Sequence, residues 1–214
     1  MRGNNRQAIF LDDIDYQQYL LELRRSRDEY PYRLLAFALM PNHVHLVMEA
    51  LPDACLSDVM HQVGKSYTRY FNGQHDRVGH LYQGRFYSNL VNRESYLLEV
   101  TRYVHLNPFR ASLVRRPAEY LWSSYRTYLG LERDLLDLVS PQRILELFGT
   151  TFAEQIERYR SFVEQLVTEE EKARAWLRKL YREKLIPPQR WLFPRPSPQK
   201  VPGTFSALGS TRYF

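Results

Sequence analysis

The chain has 214 residues, 44% of them hydrophobic, with 30 Lys+Arg against 24 Asp+Glu. That length can bury one ordinary core plus an extension, or two small cores. A net charge of +6 and a pI near 9.4 favour a polyanionic partner, nucleic acid first and an anionic membrane surface second. No window approaches the length of a membrane span, and residues 1–5 hold no apolar signal-peptide core. The single Cys55 excludes a disulfide framework within one chain, so a cytoplasmic protein with no membrane partner is expected.

Residues 4–10 read as a loop running into a short extended segment at 8–11. Asp12 or Asp13 can cap a helix that continues to about Asp28, with Ile14, Tyr16, Leu20, Leu21 and Leu23 near helical spacing. Tyr30-Pro31 ends it, because a residue before proline leaves the α region. Apolar runs at 33–39 and 43–49 flank a Pro41-Asn42 turn and predict a hairpin. A helix follows over 56–72, with Leu56, Val59, Met60, Val63, Tyr67, Tyr70 and Phe71 on one stripe, stopped by Asn72-Gly73.

Residues 77–84 are basic and punctuated by glycine, 85–91 read as a strand, and 95–105 as a helix terminated at Asn107-Pro108. The order helix, strand, strand, helix, strand, helix predicts an α+β fold with helices on one or both faces of an antiparallel sheet. Beyond Val114 a segment around Trp122-Ser123-Ser124-Tyr125 should wrap the core with a short helix. Helical patterns then cover 141–148, 152–167 and 168–185, and Pro187-Pro188 ends them. The tail to Phe214 has scattered prolines and little periodicity and is expected to be flexible.

His43 and His45 stand one residue apart directly after the Pro-Asn turn. On a strand they project to the same face while Val44 and Leu46 go the other way, so the pair can chelate a divalent metal. Two ordinary strand histidines are the simpler reading of the pair taken alone. A further ligand and a nucleophile are available on the helix at 95–105, where Tyr103 and Asn107 are i and i+4. Glu99 and Tyr96 lie further back along that face, and Leu97, Val100 and Val104 form its core stripe. His105, two residues from Tyr103, should point away. Asn107 before Pro108 can equally be a helix cap, and Glu99 a solvated residue. A tyrosine hydroxyl is a weak nucleophile at neutral pH and suits attack on a metal-polarised phosphodiester. His80, Gln83 and Arg85 are candidates for DNA contact, and the same segment also suits a plain hairpin loop.

Four stretches occur in order: Pro41-Asn42-His43-Val44-His45-Leu46, Tyr67-Thr68-Arg69-Tyr70-Phe71-Asn72, Gly79-His80-Leu81-Tyr82-Gln83-Gly84-Arg85-Phe86 and Arg102-Tyr103-Val104-His105-Leu106-Asn107-Pro108. Together they resemble the REP-associated tyrosine transposases, of the single-tyrosine HUH superfamily, over roughly residues 2–128. The resemblance implies a ferredoxin-like antiparallel sheet with helices, the HUH transposase core, followed by a helical C-terminal extension. It implies a metal-dependent endonuclease and transposase that cuts and rejoins single-stranded or hairpin DNA at repeated extragenic palindromes. Cutting would leave a 5′-phosphotyrosine and a free 3′-OH, with Mg²⁺ or Mn²⁺ as cofactor. Tyr103 is then the nucleophile, and His43, His45 and Asn107 are the metal ligands.

Members of that family carry a stretch with a first β-strand ahead of the Arg-Gly-Asn-Asn-Arg segment, which here is residues 2–6. The core is therefore expected to lack its first strand, unless the start lies upstream or another segment or subunit fills the place. The expected division is 1–128 catalytic, 129–186 helical and 187–214 a Pro-rich basic tail, in a monomer or a homodimer. A non-catalytic or domesticated hairpin-binding protein is the alternative from a different class, and a phosphoester hydrolase using metal-bound water is a third.

Overall fold

The computed structural model describes residues 1–91, 93–134, 136–182 and 211–213. In chain order it contains α1 (Asp13–Glu29), β1 (Tyr32–Met40), β2 (His43–Ala50), α2 (Leu56–Gln74), β3 (Asn89–Val91), α3 (Glu94–Arg110), α4 (Tyr125–Tyr128), α5 (Gln142–Leu145), α6 (Phe152–Arg182) and β4 (Thr211–Tyr213). The α+β class expected from the element order is the class observed.

α1 starts where Asp12 accepts from the Asp15 N–H at 3.0 Å, which satisfies a donor that the first helical turn leaves free. Its buried stripe is Tyr16, Tyr19, Leu23 and Ser26, at intervals of three and four, rather than the stripe predicted from apolar content. Ile14 stays 58% exposed. Asp15 is fully buried and accepts from the Leu11 N–H, the Tyr70 hydroxyl and His75 Nε2, which ties α1 to the far end of α2. α2 follows its predicted stripe closely but runs past Asn72-Gly73 to Gln74.

β1 and β2 pair antiparallel from Tyr32↔Ala50 to Met40↔His43, with an irregularity between Leu34 and Ala36. Val44, Leu46 and Met48 are buried and face away from His43 and His45, so both faces of β2 are covered. α3 packs against β1 and β2. The outer edge of β1 is closed by the predicted wrap-around segment and, at Leu34, by residues 139–140 beyond it. Leu39 N–H donates to Trp122 O, Ser124 N–H to Phe37 O, and Ser140 N–H to Leu34 O. The Tyr120 and Tyr128 hydroxyls donate to Leu39 O and Leu35 O. An open edge would otherwise offer unpaired backbone groups to other chains.

The sheet order is β1-β2-β4-β3. β4 comes from the segment expected to be a flexible tail, and it pairs antiparallel with both neighbours, Val47↔Tyr213 on one side and Asn89↔Tyr213 on the other. The rest of the predicted tail, residues 187–210 and 214, lies outside the described residues. A second segment shares the β2 edge: Arg2 bridges antiparallel to His43 and Gly3 to Tyr82, with Val44 N–H donating to Met1 O. Residues 1–3 and β4 therefore run in the same direction, end to end, along one side of β2. Gly3 is needed there, since a Cβ would lie 2.2 Å from Gln7 O.

Two predicted elements differ from those observed. Residues 85–88 are not strand, and only Asn89–Val91 pairs. Pro108 lies inside α3 rather than ending it. Proline removes an N–H and crowds the preceding turn, but Pro108 and Phe109 are both buried, and burying them carries the helix one turn further. α6 packs on the other side of α3, where the Arg102 guanidinium sits 4.1 Å from the Phe162 ring centre.

Candidate nucleic-acid and metal site

The two strand histidines meet through their outer nitrogens, His43 Nε2 and His45 Nε2 being 3.0 Å apart. Each ring is also held at Nδ1. Asn42 Nδ2 donates to Arg6 O at 3.2 Å, so Asn42 Oδ1 is left to accept from His43 Nδ1–H at 2.6 Å. His45 Nδ1 is hydrogen-bonded to the Tyr213 hydroxyl. Burial lowers His43 to about 4, with the Arg2 and N-terminal charges adding to it. Burial, then His43 and the N-terminus, hold His45 well below the ordinary imidazole value. Both rings are neutral at pH 7, the state a metal ligand requires.

Tyr103 projects from α3 toward this pair. Its ring meets His45 edge-on with centroids 5.8 Å apart, and it meets the Tyr213 ring in the same manner at 6.1 Å. The Tyr213 ring lies parallel to His45, centroids 5.7 Å apart. Its hydroxyl reaches the Tyr103 side chain as well as His45. Burial, followed by the charge and hydrogen bond of Tyr103, pushes the Tyr213 phenol up, so it stays protonated. Arg110 sits over the Tyr103 ring at 5.6 Å.

The structure thus brings together His43, His45 and Tyr103. It does not bring Asn107 into contact with either histidine. Asn107 is half-buried one turn beyond Tyr103, and its Nδ2 donates to the Tyr103 carbonyl at 2.9 Å. Glu99 pairs with Arg102 instead. His105 is fully buried and bonded to the Tyr159 hydroxyl at 2.7 Å and Ser124 Oγ at 2.8 Å, so it points away from Tyr103 as expected.

Among the described residues no group of three His, Cys, Asp or Glu could hold a metal ion. The two histidines still fit half of such a site. Imidazole nitrogens bound side by side to one octahedral cation at ~2.1 Å would stand about 3 Å apart, and both Nδ1 atoms already have partners that can orient the rings. A divalent cation would be held by His43 and His45, with its remaining positions left to oxygen donors.

Gln83 and Arg85 are exposed and line an open depression of about 320 Å³ together with Arg2 and Gly84. His80 is exposed on the same loop but does not line the depression. Arg2 connects it to the histidines, since Arg2 pairs with His43 in the ladder and its Nε is buried without a hydrogen-bond partner. Sequence reasoning missed Arg2 and Tyr213. Arg2 stood in the segment singled out for the family resemblance, whereas nothing local to residue 213 signals its position.

No helix among the described residues is long and apolar enough to cross a membrane. Comparison with curated proteins and with solved structures found no match. A family model described as "Transposase IS200 like" matches residues 1–107, half of the chain, and spans the histidine pair, Tyr103 and the loop lining the basic depression. The chain belongs to the IS200-like transposase family.

Proposed function

We propose that this chain is a metal-dependent single-stranded DNA transposase. In this reading it cleaves and rejoins DNA at hairpin sites of the repeated-extragenic-palindrome type through a 5′-phosphotyrosine intermediate. The observation that carries the reading is the approach of Tyr103 on α3 to a neutral histidine pair whose Nε2 atoms converge. Tyr103 Oη attacks the scissile phosphorus, the bond from phosphorus to the 3′-oxygen breaks, and the phenolic proton ends on that oxygen as a 3′-OH. The reverse step, with a new 3′-OH as nucleophile, rejoins the strand and releases Tyr103. A bound Mg²⁺ or Mn²⁺ supplies Lewis-acid polarisation of the phosphate. His43 and His45 would hold it, and the Asn107 amide oxygen would be one of the oxygen donors completing the set, its amide nitrogen staying on the Tyr103 carbonyl. Arg2, Gln83 and Arg85 bind phosphate oxygens beside the site, and His80 and the 67%-exposed Tyr87 offer faces on which bases can stack.

The test is a denaturing gel with a labelled single-stranded hairpin in Mn²⁺. Wild type is expected to give the downstream fragment linked to the protein through its 5′-phosphate and the upstream fragment with a free 3′-OH, and Tyr103→Phe neither. An adduct formed by Tyr103→Phe would remove Tyr103 from its role.

A second reading, a hairpin-binding protein that does not cut, is favoured by one observation. Asn107 is turned to its own helix and leaves a pair of histidines rather than three ligands. It expects hairpin binding that survives both chelator and Tyr103→Phe, with no cleavage in either metal.

A further inference from the structure

β4 does more than fill a place in the sheet. It sets the Tyr213 hydroxyl on Nδ1 of His45, as Asn42 sets its amide oxygen on Nδ1 of His43. The two partners differ in one respect. An amide oxygen only accepts, so His43 always carries its proton on Nδ1 and presents a bare Nε2. A phenol both donates and accepts. With His43 Nε2 bare, the 3.0 Å bond between the rings requires the proton of His45 to sit on Nε2, and Tyr213 then donates to His45 Nδ1. For His45 to become a ligand, that proton must leave Nε2 for Nδ1. Tyr213 can accommodate this without moving, by accepting from Nδ1–H and turning its own O–H toward Tyr103, which it already reaches.

We propose that Tyr213, delivered by the C-terminal strand, is the positioning residue of His45, holding the ring at Nδ1 in both tautomers and so allowing Nε2 to take a divalent cation. Residue 213 lies outside the family match, and this role rests on the metal-dependent reading above. The geometry supports it in two ways: the ring planes of Tyr213 and His45 are within 2° of parallel, and the strand is pinned on both sides by β2 and β3. Partners of this kind typically set metal affinity by tenfold or more.

The experiment measures Mn²⁺ affinity by electron paramagnetic resonance of the free ion, without DNA, for the full chain, for Tyr213→Phe and for a chain ending at residue 210. Long-range ¹H–¹⁵N spectra of the His45 ring are recorded alongside, with and without Mg²⁺. Tyr213→Phe keeps the ring and the strand and removes one oxygen. Wild type is expected to bind Mn²⁺ and to shift the His45 proton from Nε2 to Nδ1 when Mg²⁺ is added. Both variants are expected to bind Mn²⁺ about tenfold more weakly or worse, with no such shift in Tyr213→Phe. Affinity equal to wild type in Tyr213→Phe overturns the positioning role alone. Tighter binding by the shortened chain also overturns it, and would mean that β4 screens His45. Absence of Mn²⁺ binding by wild type overturns this role and the metal-dependent reading together.

Discussion

Three histidines in this protein are held neutral by burial, and their partners separate them. His43 and His45 turn bare or convertible nitrogens toward each other, whereas both nitrogens of His105 are used up by Tyr159 and Ser124. Burial lowers His105 to about 3 from an ordinary 6.5. Below pH ~6.5 the unfolded chain takes up this proton before the folded one does, so stability is full above that pH and falls steadily toward pH 3. The slope from this one residue approaches ~1.4 kcal/mol per pH unit. Urea unfolding at pH 7 and pH 5 should show the loss, and His105→Gln should make stability less pH-dependent over that window. An unchanged slope in that variant would show that His105 titrates normally.

α3 positions Tyr103, and it is held from both sides by other elements. The sheet lies on one side and α6 on the other, and the segment closing the β1 edge reaches its His105. Ser124 is where these meet: its Oγ accepts from the Phe37 N–H at 2.9 Å and contacts His105 Nε2 at 2.8 Å. Ser124→Ala removes one oxygen and leaves a buried backbone donor and a buried ring nitrogen unpaired. The expected destabilisation is roughly 2–4 kcal/mol, read from urea unfolding. A change below ~0.5 kcal/mol would mean that a water or a shifted side chain replaces the hydroxyl. The continuation of α3 through Pro108 belongs to the same balance, because burial of Pro108 and Phe109 outweighs the local preference of proline to stop a helix.

Over the whole molecule, an excess of six positive charges becomes useful only where the fold gathers it. Residues 1–3 bring Arg2 beside His43 and next to Arg85, so two cations flank a polar depression at the edge of the candidate site. Hairpin binding should weaken as salt rises, and Arg2→Ala and Arg85→Ala should each flatten the plot of log K against log salt by about one unit. Fluorescence anisotropy titrations between low and physiological salt would measure this. A slope unchanged by both substitutions would place the strand elsewhere.

Local patterns were enough to put His43 and His45 on one strand face, Tyr103 on a helix, and the elements in α+β order. Those readings depend on two-residue and four-residue periodicities that the neighbouring side chains carry. The same patterns misjudged Pro108, the length of β3 and the buried stripe of α1, where packing against distant residues outweighs local preference. Asn107 was legible as a neighbour of Tyr103 but not as a side chain turned to its own helix. Tyr213 was not legible at all, since its place depends on pairing with strands more than a hundred residues away, and backbone hydrogen bonds carry no mark in a sequence. The sequence by itself determined which side chains could do the chemistry. The tertiary structure decided which of them meet, because only sheet pairing brings the end of the chain to the histidine that needs a partner.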